Sequence, residues 1–188
     1  MPKYFAALTI LLMIGMVAVR LLVLKKRGIV AMKFGETDKT DFLIPPFVLF
    51  YFYMIFAAAF GFPTVGGEAR FHSTIVEWVG VAFCFAGVSL LAWSLISFGR
   101  SFRVGIDAKR PDKLVTEGVF AHSRNPIYVA FALILFGEFL IFSNPILLIY
   151  LLAGFCLLHR QALREEDYLI KHYGEEYAHY RRRVRRYL

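Results

Sequence analysis

Cysteine is nearly missing from this chain of 188 residues: Cys84 and Cys156 stand alone, each in an apolar run with no His or second Cys at ligand spacing. A disulfide framework and a metal centre are therefore not expected, and both thiols read as small buried hydrophobes. A glycine-rich phosphate loop is missing too, so neither the Rossmann nor the P-loop route to a nucleotide has support. There is no internal repeat and no low-complexity tract. Negative charge is the scarcer sign, 14 Asp and Glu against 22 Lys and Arg, and the net charge is +8. The basic excess gathers between apolar stretches and at the C-terminus, as in the cytoplasmic loops of membrane proteins, and no nucleic-acid partner is expected.

What is present in quantity is apolar surface. At 59% hydrophobic residues the chain is too apolar for an ordinary soluble domain of its length. A spanning helix needs roughly 20 mostly apolar residues. Residues 4–24, 42–62 and 75–98 meet that length. Residues 4–24 are followed, not preceded, by Lys25, Lys26 and Arg27, so they read as a retained first span and not a cleaved leader. Two shorter runs, 127–142 and 146–158, flank Ser143-Asn144-Pro145, where the proline stops a helix and a turn is expected. The expectation is an all-α, polytopic integral membrane protein of about five transmembrane helices. Residues 1–98 carry three N-terminal helices, and 99–188 carry a helical hairpin, 127–158, with cytoplasmic C-terminal helices.

Orientation follows from Lys and Arg in the connections. Five fall after the first span, six after the third and eight in the C-terminal segment, whereas only Lys3 and Arg70 fall on the other side; Arg20 lies within the first span near its basic end. The N-terminus is therefore expected outside, and the polar segments 99–124 and 160–188 in the cytoplasm.

In the last segment Leu163, Glu166, Ile170, Tyr173, Tyr177, Tyr180, Val184 and Tyr187 recur at alternating three- and four-residue steps, across a break at Gly174. Glu166 stands where a leucine would be expected, so its carboxylate points inward and needs a partner. Two readings stand: a salt bridge to Arg164, Arg124 or Arg103, or a cationic or polyhydroxy ligand. Asn125-Pro126 suits a helix start. That start would place unpaired amides beside Arg124, which attracts a carboxylate or a lipid phosphate. Glu138, 12 residues beyond Pro126 and so about 18 Å along the helix, is expected to join helices at the outer end of the hairpin through a protonated or hydrogen-bonded carboxyl.

Leu114-Val115, Gly118, Phe120, Arg124-Asn125-Pro126-Ile127-Tyr128, the apolar hairpin, then Glu165-Glu166, Leu169, Tyr173-Gly174, Tyr177 and Tyr180 resemble the paired signature of the isoprenylcysteine carboxyl methyltransferase family and its phospholipid methyltransferase relatives. The resemblance covers roughly residues 97–184 and is specific because two motifs are separated by a hairpin. It implies S-adenosylmethionine in a cytoplasm-facing pocket and a lipophilic or lipidated substrate arriving from membrane lipid between helices. Carried over, Leu114, Val115, Gly118, Val119, Phe120, His122, Arg124, Asn125, Pro126 and Tyr128 would line the cofactor, with Glu165 and Glu166 completing the pocket. Arg124 and Glu166 would also serve catalysis, with Arg103, or Arg100 nearby, holding an acceptor carboxylate. Methyl transfer asks a protein mainly for alignment and a suited electrostatic environment, with no metal or covalent nucleophile. Two departures stand out: Asn125 replaces a histidine of the eukaryotic enzymes, and a closing Val-Pro-Arg reads Val184-Arg185-Arg186. The rival readings are an NADPH-dependent membrane reductase like the sterol reductases, a phospholipid N-methyltransferase and a non-catalytic lipid-binding membrane protein.

Overall fold

The computed structural model describes residues 1–26, 44–67, 73–98 and 114–188, and these are helical throughout apart from turns and one isolated bridge. The helices are α1 (Pro2–Lys26), α2 (Ile44–Phe60), α3 (Thr74–Phe98), α4 (Pro126–Phe142), α5 (Pro145–Tyr173) and α6 (Glu175–Arg183), with a short 3-10 turn at Gly118–Ala121. Their outer surfaces are apolar: Leu11, Val19, Leu22, Ile75, Ile96, Ile149 and Leu152 are all exposed. Side chains of that kind facing out on several helices suit hydrocarbon, not water. By length and composition α1, α3 and α5 can each cross a membrane. Helices α2 and α4, with 17 residues each, reach only about 25 Å. The chain is an all-α, polytopic integral membrane protein.

Glycines set the closest helix contact. A Cβ on Gly137 would lie 2.5 Å from the Gly80 carbonyl oxygen, and one on Gly87 would lie 2.8 Å from that of Ala130. Helices α3 and α4 therefore run antiparallel with their backbones touching, the contact that small residues permit between membrane helices. At one end of the bundle Ala6, Ile10, Met54, Ile55, Cys84 and Leu147 form a buried cluster drawn from α1, α2, α3 and α5. Nearer the other end Leu24, Leu91, Leu95 and Ala130 close a second one. Cys84 is buried as expected, whereas Cys156, expected to be buried too, is exposed on the outer face of α5 beside the exposed Leu152 and Phe155.

The expected turn is present. Ser143 adopts a left-handed conformation with φ of 45°, and Asn144 caps α5 by accepting from the Ile146 amide at 2.8 Å. Its Nδ2 donates to the Val65 and Gly67 carbonyls, tying the hairpin to the residues after α2. The second arm departs from expectation in one respect: it does not end at residue 158 but runs on unbroken into the helical piece expected before Gly174, so that α5 is a single helix of 29 residues, Pro145–Tyr173, roughly 43 Å long. Between Pro145 and Gly174 there is no proline and only one glycine, Gly154, so the change in polarity near Arg160 ends the apolar stretch without ending the helix. Gly174, with φ of 52°, breaks it and starts α6. The buried line along α5 runs through Leu147, Leu151, Gly154, Ala162 and Glu166, leaving Leu163 and Ile170 on the surface instead of the inward face expected of them.

Candidate functional site

The two polar stretches meet at the end of the bundle where α3 stops and α4 starts. Gly118, at φ of 64°, takes a conformation that disfavours a side chain, and a Cβ there would strike Ser97 Oγ at 2.4 Å. The Val119 amide donates to that hydroxyl at 3.3 Å, and Phe120 packs edge-on against Phe98. Val119 and Phe120 are buried; Leu114 and Val115 are half-buried, and Gly118 and His122 are exposed, His122 beside the Trp93 ring. From α6 Tyr180 donates to the Phe120 carbonyl at 2.6 Å, so the C-terminal helix closes over the turn.

Pro126 is the first residue of α4, as its ring geometry favours. Asn125 precedes it but does not cap it. Instead its Nδ2 donates to Glu166 Oε1 at 3.1 Å and to the Arg186 carbonyl at 3.2 Å. Ser123 Oγ donates to that same carbonyl at 3.4 Å and accepts from the Asn125 amide at 3.2 Å, while the Arg124 amide donates to the Arg185 carbonyl at 3.0 Å. Residues 123–125 and 185–186 thus lie side by side, bridged in parallel at Ser123 and Arg185.

Glu166 sits at the centre and is 3% exposed. The Arg186 guanidinium grips both oxygens, Nε to Oε1 and Nη2 to Oε2, each at 3.1 Å. Arg124 Nη1 approaches Oε2 only to 3.4 Å and the Tyr177 hydroxyl to 3.5 Å, at the outer limit of useful hydrogen bonding. The Arg124 side chain is 7% exposed, and its Nε is buried without a partner among the described residues. The inward glutamate is therefore ion-paired to Arg124, one of the cations expected, and more closely to Arg186, which was not. Burial, then the Glu166 charge, raises the Tyr177 hydroxyl above its usual range, and burial likewise raises Tyr180, so both stay neutral, Tyr177 accepting from Arg124 and Tyr180 donating to the Phe120 carbonyl.

Glu165 faces elsewhere. Adjacent residues on a helix point about 100° apart, and Glu165 turns to α4, where it accepts from the Tyr128 hydroxyl at 2.5 Å and from Gln161 Nε2 at 3.0 Å. Beside that pair a cleft of about 550 Å³ opens between α4 and α5. Its walls are apolar, among them Leu133, Phe136, Phe155 and Leu158. Its polar end holds Tyr128, His159 and Tyr187, and His159 Nδ1 lies 2.8 Å from the Tyr187 hydroxyl.

Of the residues expected at the site, Arg124, Asn125, Pro126 and Glu166 come together in one cluster. Tyr128 and Glu165 form a second beside it, with Leu114, Val115, Gly118, Val119 and Phe120 in the segment leading in. Arg100 and Arg103 lie outside the described residues. Sequence reasoning missed Arg186, Ser123 and Ser97. The sequence sets Arg186 at the end of the altered closing motif Val184-Arg185-Arg186, inside a run of arginines, without giving it a role, and the two serines act on backbone partners that no spacing reveals.

Comparison with known proteins gives one consistent family. A profile of the phospholipid methyltransferases matches residues 75–176. Among curated relatives, the protein-S-isoprenylcysteine O-methyltransferase of Schizosaccharomyces pombe is 27% identical over 61% of this chain and 53% of its own length. That of Rattus norvegicus is 31% identical over 58% and 40%, and form B of Arabidopsis thaliana is 32% identical over 56% and 55%. The chain spans about half the length of these relatives. Among solved structures, the eukaryotic intramembrane Ras methyltransferase, an isoprenylcysteine carboxyl methyltransferase, superposes with a TM-score of 0.59 at 20% identity, over 88% of this chain and 58% of that one. The fold is shared.

Proposed function

The chain belongs to the phospholipid methyltransferase family, and from that premise we propose that it transfers a methyl group from S-adenosylmethionine to a lipophilic acceptor reached from the membrane, an isoprenylcysteine-type carboxylate in the form that its relatives' names suggest. The observation that carries this reading is the meeting of Arg124 with Glu166 across the α4–α5 hairpin, beside an apolar cleft.

The residues present fit such a cofactor. Its amino-acid end carries a carboxylate, and Arg124 presents a buried Nε with no partner beside the first turn of α4, whose dipole is positive there. Bound there, S-adenosylmethionine would supply an electrophilic methyl on a sulfonium, which leaves as a neutral thioether. Arg124 would hold the carboxylate; Asn125 and Glu166 would keep Arg124 and the turn in place. Tyr128 and Glu165 would border the route from the apolar cleft. An ionised acceptor carboxylate would need no base, so the residues here would only have to hold it, orient it and keep water out. We assign the holding of that carboxylate to Arg103, or to Arg100 nearby. We further propose that the N-terminus lies outside and that this site, within residues 99–188, faces the cytoplasm, as the basic residues require.

Incubation of membranes containing the protein with methyl-labelled S-adenosylmethionine tests the reading. Label in lipid-soluble product, released as methanol by mild alkali, is the expected result for a carboxyl ester. Alkali-stable label would move the acceptor to a phospholipid amine. Label no greater than with Arg124→Met would overturn methyl transfer at this site. Arg103→Ala should lower turnover while leaving cofactor affinity unchanged, and unchanged turnover removes Arg103 from the reaction.

A further inference from the structure

We infer that Arg186 is a positioning residue of this site: by taking both oxygens of Glu166 it leaves Arg124 as the unspent cation that meets a ligand carboxylate. The inference rests on the methyl-transfer reading above. Among the described residues, Glu166 faces two guanidinium groups, and they share it unequally. Arg186 makes two parallel bonds at 3.1 Å, the fork geometry in which guanidinium and carboxylate fit best. Arg124 is left with contacts at 3.4 and 3.5 Å and an unpartnered Nε, although its side chain is the more deeply buried of the two, 7% exposed against 31%. One carboxylate and two guanidiniums leave this cluster with an excess of one positive charge, which one ligand carboxylate neutralises.

The arrangement would change if Arg186 were gone. Glu166, buried and without its better partner, would draw Arg124 into the vacated fork, because a buried carboxylate does not stay unpaired when a guanidinium lies 3.4 Å away. The site would then be electrically neutral and closed to an anion. The main chain of the same residue contributes as well: the Arg186 carbonyl accepts from both Ser123 and Asn125, so its backbone holds the 123–125 turn while its side chain sets the charge.

The carboxylate has two sources of the same chemistry, the amino-acid end of the cofactor and the acceptor. Calorimetry on the full chain in detergent, with S-adenosylhomocysteine and with methylthioadenosine, which lacks the amino-acid carboxylate, separates these effects from misfolding. Arg186→Met should weaken S-adenosylhomocysteine tenfold or more and methylthioadenosine less than twofold. Arg186→Met combined with Glu166→Gln should return S-adenosylhomocysteine to within about threefold of wild type, since a neutral amide no longer captures Arg124. Arg186→Lys, keeping the charge without the fork, should fall between. If the acceptor supplies the carboxylate, the tenfold effect appears in KM for S-farnesylcysteine and not in cofactor affinity, and the double variant again restores it. Equal loss of both nucleosides in Arg186→Met, or no restoration in the double variant, would overturn the role. Should Arg186→Met fail to fold, Arg186→Lys and the double variant carry the same contrast. Wild-type protein that binds no S-adenosylhomocysteine would instead sink the methyl-transfer reading.

Discussion

Two glutamates are buried in this bundle, and their surroundings have little in common. Glu166, at the end where α4 starts, meets Arg186, Arg124 and Asn125, drawn from two segments far from it in sequence. Glu138, fully buried near the other end of α4, receives a hydrogen bond from the Tyr51 hydroxyl of α2, and its Oε1 has no partner among the described residues. One carboxylate is held by charge and organises a site; the other is held by a neutral hydroxyl and joins two helices. A buried acid residue alone does not mark function, whereas one that gathers several donors, with a cation left over, points to a ligand.

The sharpest way to break that contrast is to remove each carboxylate. Glu166→Ala strands two guanidinium groups and should cost about 3–5 kcal/mol, seen as a large drop in thermal midpoint in detergent. Glu138→Ala should lower the midpoint far less, and equal losses would erase the distinction. Asn125→Ala comes next, at about 1–3 kcal/mol, because the Glu166 oxygen and the Arg186 carbonyl both lose a donor in a buried place. Gly174→Ala tests whether the charged end depends on how α6 is delivered. With φ of 52° there, a side chain is strained at a cost on the order of 1 kcal/mol, and cofactor affinity should fall with stability because Tyr177 and Tyr180 shift. The smallest effect is expected at the other end, where Tyr51→Phe removes the Glu138 donor for about 0.6 kcal/mol, the usual worth of a hydrogen bond between membrane helices. Chemical denaturation of the purified variants ranks the last two.

Much of the charged end was legible in sequence because its chemistry sits in two motifs. Pro126 could only start a helix, and Glu166 interrupted an apolar spacing, which forced it inward and demanded a partner. The Ser143-Asn144-Pro145 turn announced itself by residue type. Glu138 was legible in the same way, as a hydrogen-bonded carboxyl between helices. What escaped had a weak local signal or none. Arg186 closes the altered Val184-Arg185-Arg186 motif but is one of five arginines in six residues, and the three-dimensional path after Val184 decides which turns in. The length of α5 was underestimated because hydropathy reports where the bilayer ends, and the helix continues beyond it. Spacing alone puts Leu163 and Ile170 on the inward face, but the buried line of α5 runs through Ala162 and Glu166, and Glu166 is drawn to Asn125 and Arg124 of the turn.

Calorimetric titration of the wild-type protein with S-adenosylhomocysteine and with NADPH, beside Arg124→Met, decides whether this end of the bundle binds a methyl-donor nucleoside through Arg124. Saturable one-site binding of S-adenosylhomocysteine, no binding of NADPH, and at least tenfold weaker binding in Arg124→Met are expected. Preference for NADPH, or affinity for S-adenosylhomocysteine that Arg124→Met leaves unchanged, would contradict that reading.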